Sequence, residues 1–172
     1  IIGGNGNSGN LIHYGGDQGD VSMYLNGDLF FYNNTVYINS DEWHMQLFQV
    51  KPAPNATVYA KNNIIAVYGN NHFRFMADSG TLNLQGVNWV TDGYVDKGPY
   101  ADEAIVNTSE GSIITGTDPG FVDASTYNFA LNESSPARDV ALPLGGIDLN
   151  AAYLETAKAQ PRVTVKHLGA VE

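Results

Sequence analysis

The chain has 172 residues, with 18 acidic against 8 basic side chains and a formal net charge of −10 at pH 7. That charge argues against nucleic acid or an anionic membrane as a partner, and the absence of cysteine excludes a scaffold held by disulfides. Nineteen glycines and ten tyrosines, with almost no helical periodicity and no apolar run long enough to cross a bilayer, favour an all-β chain rich in tight turns.

The amino-terminal residues have the pattern of the end of a strand, and we expect that strand to begin upstream. The chain opens Ile-Ile-Gly-Gly-Asn-Gly, without an initiating methionine or a signal peptide. We expect either a removed leader or, as the favoured alternative, the carboxyl-terminal part of a longer protein with missing upstream rungs. An open first strand can also dock onto a partner chain, so head-to-tail self-association is a further expectation.

A repeated segment organises the first half of the chain. Residues 28–38 resemble residues 56–67 and, more weakly, residues 81–90. The copies share an asparagine at spacings of 29 and 25 residues: Asn34, Asn63 and Asn88. Repeats of this length indicate a solenoid. Each copy reads as strand, turn, strand, and we expect the shared asparagines to adopt the left-handed bend conformation and to hydrogen-bond one above another as a ladder.

Further strands complete each turn of the predicted solenoid. Three apolar residues follow the bend at one equivalent position and are predicted to be core: Val36, Ile65 and Val90. Third strands are predicted at residues 11–14, 45–50 and 73–76, since each segment alternates and precedes one copy of the repeat. Residues 21–25 compete with residues 11–14 for this place in the first turn.

The second half of the chain departs from the repeat. Residues 92–100 read as a loop, and the two isoleucines at 113–114 are expected to begin one further partial turn. The alanines, Leu154 and Glu155 predict a short helix over 151–158. We therefore divide the chain into rungs at 1–100 and, at 101–172, a partial last rung with a C-terminal capping segment.

Three segments resemble those of a known family. They are Tyr-Asn-Asn-Thr and Lys-Asn-Asn-Ile in the repeats, the stretch from Asp-Pro-Gly-Phe at 118–121 to Ser-Pro-Ala-Arg-Asp at 135–139, and the closing Leu-Gly-Ala-Val-Glu. They are similar to the C-terminal part of bacterial right-handed parallel β-helix proteins of the pectate-lyase-like superfamily. The resemblance implies a secreted or cell-surface bacterial protein, folded as a right-handed parallel β-helix (solenoid) with an irregular C-terminal cap. It does not select an activity, because that ending accompanies lyases, glycosidases and proteins of no known activity.

The resemblance also implies that polysaccharide lies along an outward sheet face. If Leu47 and Phe75 point inward, then Gln46 and Arg74 point outward on the third strands, and His13 extends the column. A lyase acting on uronic acids needs a group that neutralises the carboxylate and a base for the C5 proton. The candidate catalytic residues are Arg74 for the carboxylate and His72, His44 or Lys51 as the base. The candidate substrate-binding residues are Gln46, Trp43 and Tyr24, the last also able to supply an acid. The alternative is that these are ordinary exposed side chains of a β-face.

Acidic residues suggest two other sites. Asp92 and Asp96, with nearby carbonyls, could hold Ca²⁺ in a flexible oxygen-rich loop, although their spacing matches no standard motif. A pair of carboxylates would instead suggest a glycoside hydrolase. The available pairs are Asp41 with Glu42, Asp92 with Asp96, and Asp102 with Glu103, and all lie in predicted loops.

Two classes of function remain open from the sequence. The first is a secreted polysaccharide-directed protein, either a polysaccharide lyase acting on uronic-acid polymers or the C-terminal half of one, with glycoside hydrolase as the next activity. The second is a non-catalytic β-helix that serves as an adhesin, a glycan-binding module or a self-assembling structural module. The resemblance favours the first class, and the shortage of lysine and arginine favours the second.

Overall fold

The structure is a computed structural model, and it describes residues 2–3, 9–16, 20–25, 27–39, 45–50, 56–69, 73–155, 158–162 and 165–171. Its regular elements are strands together with two short 3-10 turns, Val21–Met23 and Ala124–Thr126, so the predicted all-β class is confirmed. Among these residues there is no helix with the length and apolar character that a membrane crossing requires.

Three sheets of parallel strands form the body of the protein. Sheet A contains β1 (Ile2–Gly3), β4 (Thr35–Asn39), β7 (Ile64–Tyr68), β10 (Asn88–Thr91) and β13 (Ile113–Gly116). Sheet B contains β2 (Gly9–Tyr14), β5 (Met45–Val50), β8 (Arg74–Asp78) and β11 (Val95–Lys97). Sheet C contains β3 (Asp28–Tyr32), β6 (Thr57–Lys61), β9 (Thr81–Gln85) and β12 (Ile105–Thr108).

From β2 to β13 the chain visits sheets B, C and A in that order, four times. The predicted third strands are therefore present as β2, β5 and β8, paired in parallel, and Val21–Met23 is a 3-10 turn that does not compete with them. The two isoleucines at 113–114 begin β13, but the further turn that they were predicted to begin starts earlier, at β11, and β13 is its last strand. Residues 92–100, predicted to be a loop, contain the short strand β11 between two turns.

Side chains from all three sheets meet in one buried cluster. Val36 pairs with Ile65 and Ile65 with Val90, and all three are fully buried, which confirms the predicted core column. Sheet C contributes Val58 and Leu82, and sheet B contributes members described below. Burial of so much aliphatic surface in one contiguous cluster is the main stabilising contribution to this fold.

The bend between sheets C and A uses two nearby positions. One has a left-handed backbone, and the other carries the asparagine of the predicted ladder. The left-handed backbone belongs to Asn33 (φ 51°) and Asn62 (φ 58°), and Gly86 (φ 60°) takes that place in the third copy. Our assignment of this conformation to the shared asparagines is thus wrong, by one position in the first two copies and by two positions in the third. Asparagine and glycine occupy these sites because they adopt the left-handed region at the lowest cost.

The shared asparagines form the predicted ladder. Asn34 Nδ2 donates to Asn63 Oδ1 over 3.3 Å, and Asn63 Nδ2 donates to Asn88 Oδ1 over 2.9 Å. The same oxygens accept backbone N–H groups, that of Asn34 at 2.8 Å and that of Asn63 at 3.1 Å. Asn63 and Asn88 are fully buried, so the ladder satisfies backbone groups that solvent cannot reach at the turn.

Downstream of β13 the chain packs along the outer face of sheet A. Two antiparallel hairpins lie here, β14 (Phe121–Asp123) with β15 (Asn128–Leu131), and β16 (Ala151–Glu155) with β17 (Lys158–Pro161). A second buried cluster joins residues of sheet A to this segment: Tyr37, Ile64, Ala66 and Trp89 with Phe121, Phe129, Leu131, Ala137, Leu168 and Val171. Both faces of β4 and β7 are consequently buried.

The helix predicted over 151–158 is wrong, because that segment begins as strand β16. Tertiary contacts explain the difference: Tyr153 N–H donates to the Ala170 carbonyl over 2.6 Å, and its ring lies 5.7 Å from that of Phe129. Helix propensity differs by less than about 1 kcal/mol between ordinary residues, so such contacts override it easily.

Hydrogen bonds fix the closing residues against the bend. Asn33 Nδ2 donates to the carbonyls of His167 and Gly169, and Gly169 N–H donates to the Asn62 carbonyl over 2.8 Å. A methyl group on Gly169 would lie 2.5 Å from Thr35 Oγ1, which leaves room for glycine alone in this contact. These contacts place the segment on the side of sheet A, while the predicted covering of the last rung stays a prediction.

An aromatic cluster beneath this segment gives the stability a pH dependence at high pH. Burial, assisted by Asp118 and Tyr37, raises the pKa of Tyr68 to about 12. Ionisation is therefore easier in the unfolded chain, and stability present below about pH 10 is lost as the pH rises towards 12. We expect wild type to lose stability relative to Tyr68→Phe as the pH rises from about 10 to 12. Urea denaturation of both proteins measures this change in the difference between their free energies of unfolding. A difference that stays at its pH 7 value throughout would contradict the prediction.

Candidate functional site

The outer face of sheet B carries two columns of side chains, and all of them except Ala77 are polar. In the first column Asn10 pairs with Gln46 and Gln46 with Arg74. In the second column, three residues further along each strand, the members are His13, Gln49 and Ala77. His13 thus lies in register with Gln49, and our prediction that it extends the column of Gln46 and Arg74 is wrong.

The spacing of three arises from the residues between the columns. Leu47, Phe48, Phe75 and Met76 are all fully buried, so two consecutive side chains leave the surface in each of β5 and β8. The simple alternation of a strand would bury only every second residue. The predicted inward position of Leu47 and Phe75 is confirmed, and Gln46 and Arg74 are partly exposed.

A cleft of about 290 Å³ lies on this face. It is lined by Asn10, Gln46, Gln49, Ala77, Asp78, Gly98 and Tyr100. Amides and a carboxylate are linked across its floor: Asn10 Nδ2 donates to Gln49 Oε1 over 2.6 Å, and Gln49 Nε2 donates to Asp78 Oδ2 over 3.4 Å. The Tyr100 ring, 93% exposed, stands at the edge. Amides and an exposed ring are groups suited to hydroxyl-bearing ligands.

Arg74 lies beside this cleft. A methyl group on Gly98 would lie 3.2 Å from Gln46 Oε1 and 3.4 Å from Arg74 Cδ, so the three residues are immediate neighbours. Within the part of the chain that the structure describes, no hydrogen bond or ion pair engages the Arg74 guanidinium. The nearby Lys97 ammonium, by contrast, donates to the carbonyls of Asp102 and Ala104.

The other predicted members of the site have different outcomes. His72, His44, Lys51 and Trp43 lie outside the described residues. Tyr24 does not line the cleft: its ring packs against the main buried cluster and covers Gly16, where a methyl group would lie 2.2 Å from Tyr24 Cδ1. Its predicted role in substrate binding stays a prediction.

The acidic candidates lie at the end of the same sheet. Asp92 is in the turn after β10 and Asp96 is in β11, and both side chains are exposed. Burial, and secondarily the Asp96 carboxylate, raise the pKa of Tyr94. The described residues contain no group of three or more His, Asp or Glu side chains arranged to hold a metal ion. Calcium binding by Asp92 and Asp96 remains a prediction.

Sequence reasoning missed three members of the cleft, Asn10, Gln49 and Asp78. Strict alternation predicts that Gln49 lies on the opposite face from Gln46, because the two are three residues apart. The available signal was the repetition of a polar–apolar–apolar–polar pattern, seen at 10–13 and 46–49. That pattern indicates a local departure from the pleat at the same place in neighbouring strands.

Comparison with protein-family models, with curated proteins and with solved structures finds no match to this chain.

Proposed function

We propose that the chain is a right-handed parallel β-helix whose sheet B face binds a polysaccharide containing uronic acids. The fold part of the proposal is supported by the ordered return of the chain to sheets B, C and A, by the single core between them, and by the asparagine ladder at one bend. Sheets that grow by one strand per turn give a long, regular face, and such a face suits an extended polymer.

The observation that carries the function is the environment of Arg74. The chain has a net charge of −10, yet this partly exposed guanidinium has no carboxylate partner among the described residues. A guanidinium binds carboxylates through two parallel hydrogen bonds, and this geometry selects a planar anion. The carboxylate of a uronic acid unit fits this position, with Gln46 and Gln49 within reach of hydroxyl groups and Tyr100 beside a sugar ring.

A lyase reaction extends the same proposal. Arg74 would neutralise the uronate carboxylate and so stabilise the enolate that forms when a base removes the C5 proton. The C4–O bond then breaks, a C4–C5 double bond forms, and the leaving oxygen takes a proton. We propose His72, His44 or Lys51 as the base, water as the source of the proton for the leaving oxygen, and secretion to the bacterial surface as the setting.

The second candidate is binding without catalysis, as in an adhesin or glycan-binding module. The composition of the lining favours this candidate, because three of its five polar side chains are amides, and two of them, Asn10 and Gln49, are hydrogen-bonded to each other. Amides position hydroxyl groups well but do not transfer protons at neutral pH. A lyase would release an unsaturated product, and a binding module would not.

Replacing Arg74 with alanine is expected to weaken oligouronate binding by at least about tenfold, because one bidentate charged contact contributes on the order of 1.5–3 kcal/mol. Isothermal titration calorimetry with oligomers of alginate, pectate and glycosaminoglycans, with and without Ca²⁺, measures this loss of affinity. Ultraviolet absorbance of the unsaturated product, lost in the same variant, would assign the lyase activity.

Two variants make that result specific. Arg74→Lys keeps the charge without the bidentate geometry and should recover only part of the affinity. Lys166→Ala removes one exposed positive charge from the C-terminal segment and should bind like wild type. An equal loss in Lys166→Ala would show a non-specific charge effect, and unchanged binding in Arg74→Ala would exclude the proposed site.

A further inference from the structure

We infer that a second cleft, between the two C-terminal hairpins, binds a short uncharged saccharide. This cleft has a volume of about 410 Å³, within the usual range of small-molecule sites. It is formed by the β14–β15 and β16–β17 hairpins, which belong to the segment packed on sheet A. The uronate-binding face is on sheet B, so the two proposals are independent.

The lining of this cleft combines rings, amides and a hydroxyl group. Its residues are Thr126, Tyr127, Asn128, Ala130, Tyr153, Leu154, Gln160 and Val171. None of these eight side chains carries a charge at neutral pH, although the chain has 18 acidic and 8 basic side chains. A charged ligand would find no partner in this lining and would lose hydration on entry. The lining therefore selects a neutral polar ligand.

Three polar side chains of the lining, Asn128, Gln160 and Thr126, offer hydrogen bonds to sugar hydroxyl groups. Asn128 lines the cleft, and its Oδ1 accepts the Ala130 N–H over 3.3 Å, so the donor capacity of its Nδ2 is not used by this contact. Gln160 adds donors and an acceptor, and the Thr126 hydroxyl, which donates to the Asp123 carbonyl over 3.4 Å, adds an acceptor. Two tyrosine rings provide flat apolar surface for the C–H face of a pyranose ring. A lining that combines aromatic rings with amides favours a saccharide over a purely apolar ligand.

The backbone of Tyr127 is the second observation that points to a ligand. Tyr127 has φ 61° and ψ 23°, a left-handed conformation that is uncommon for a bulky residue. Glycine or asparagine would fill this C-cap at lower cost. The ring nevertheless remains 46% exposed, so packing against Tyr37 and Phe129, at centroid distances of 6.2 and 6.3 Å, uses only part of its surface. Strained backbone conformations cluster at functional sites, and here the strained residue lines the cleft.

Contacts behind the cleft hold its rings in place before any ligand arrives. The Tyr153 hydroxyl donates to the Tyr127 carbonyl over 3.3 Å and so connects the two hairpins. The Tyr153 ring also lies 5.7 Å from the ring of Phe129, which is buried. A preformed site of this kind loses less conformational entropy on binding.

The test is a titration of the intact chain with neutral oligosaccharides of glucose, xylose, mannose and galactose, monitored by saturation-transfer NMR and calorimetry. We expect at least one of them to bind with a dissociation constant in the micromolar to millimolar range. Tyr127→Asn should weaken that binding by at least about tenfold while the left-handed backbone is retained. Gln160→Ala should weaken it as well, since it removes hydrogen bonds without touching the buried cluster.

Arg74→Ala separates this site from the sheet B face. It should leave neutral oligosaccharide binding unchanged, just as Tyr127→Asn should leave oligouronate binding unchanged. Binding of none of the neutral sugars, or binding that survives both Tyr127→Asn and Gln160→Ala in folded protein, would overturn the inference. Loss of neutral sugar binding in Arg74→Ala alone would place the ligand on sheet B instead and would also overturn it.

Discussion

Replacing Asn63 with alanine is expected to lower the free energy of unfolding by about 3 kcal/mol. Asn63 is fully buried, and its amide donates to the Phe31 carbonyl over 2.9 Å and to Asn88 Oδ1 over 2.9 Å. Its Oδ1 accepts the Asn34 N–H over 2.8 Å. Alanine removes all of these partners at once and leaves buried donors and acceptors without hydrogen bonds, each at a cost of about 1–3 kcal/mol.

Asn107→Ala is the matched control for this prediction. The Asn107 amide also donates to an asparagine in the neighbouring strand, Asn83, over 2.9 Å, but the residue is exposed at the edge of sheet C. Water replaces that bond, so the change should stay within about 0.5 kcal/mol. Urea denaturation followed by circular dichroism measures both variants. Similar losses of unfolding free energy in the two variants would mean that burial does not determine how much the ladder contributes to stability.

The ladder was predictable from sequence because its cause is a repeat. Recurrence of Asn34, Asn63 and Asn88 at the same place in each copy implies stacking of these side chains, although the copies are 29 and 25 residues apart. The identity of the left-handed residue was not predictable, since the first two copies contain Asn-Asn and either member tolerates that conformation. In the third copy Gly86 marks the bend, and Val87 is an additional residue before the ladder resumes.

The candidate sites were less accessible to sequence reasoning. The outward position of Gln46 and Arg74 on sheet B was predicted correctly, because one buried neighbour on each strand fixes which way the next residue points. Gln49 was missed because Leu47 and Phe48 are both buried, an arrangement that depends on packing between strands. The hairpin cleft was missed for a related reason: helix propensity was applied to residues that pair with one another only after the segment packs on sheet A.

Packing on sheet A also determines where a core substitution has its largest effect. The outer side chains of this sheet would face solvent if the C-terminal segment were absent, yet Ile64, Ala66 and Trp89 are fully buried. The segment and the sheet therefore depend on one another. The hairpin cleft belongs to this second layer, so its geometry relies on the contact between the segment and the sheet.

Trp89→Ala is accordingly expected to cost about 4 kcal/mol, since removal of a fully buried tryptophan leaves a large cavity. That is a large fraction of the roughly 5–15 kcal/mol that stabilises a typical domain. Because Trp89 belongs to the same buried cluster as Leu168 and Val171, the closing residues should lose protection first. Hydrogen exchange at the amide of Leu168, which donates to the Ala137 carbonyl over 2.9 Å, reports that loss.

Trp89→Phe distinguishes the cavity from the loss of the indole N–H. Among the described residues the buried Nε1 of Trp89 has no hydrogen-bond partner, so phenylalanine removes an unsatisfied donor while it keeps most of the apolar volume. We expect its cost to be below about 2 kcal/mol, with exchange at Leu168 close to that of wild type. If phenylalanine were as costly as alanine, the indole would have to be bonded in the folded protein. If alanine left exchange at Leu168 unchanged, the segment would be held by the hydrogen bonds at Asn33 and Asn62 and not by this shared cluster.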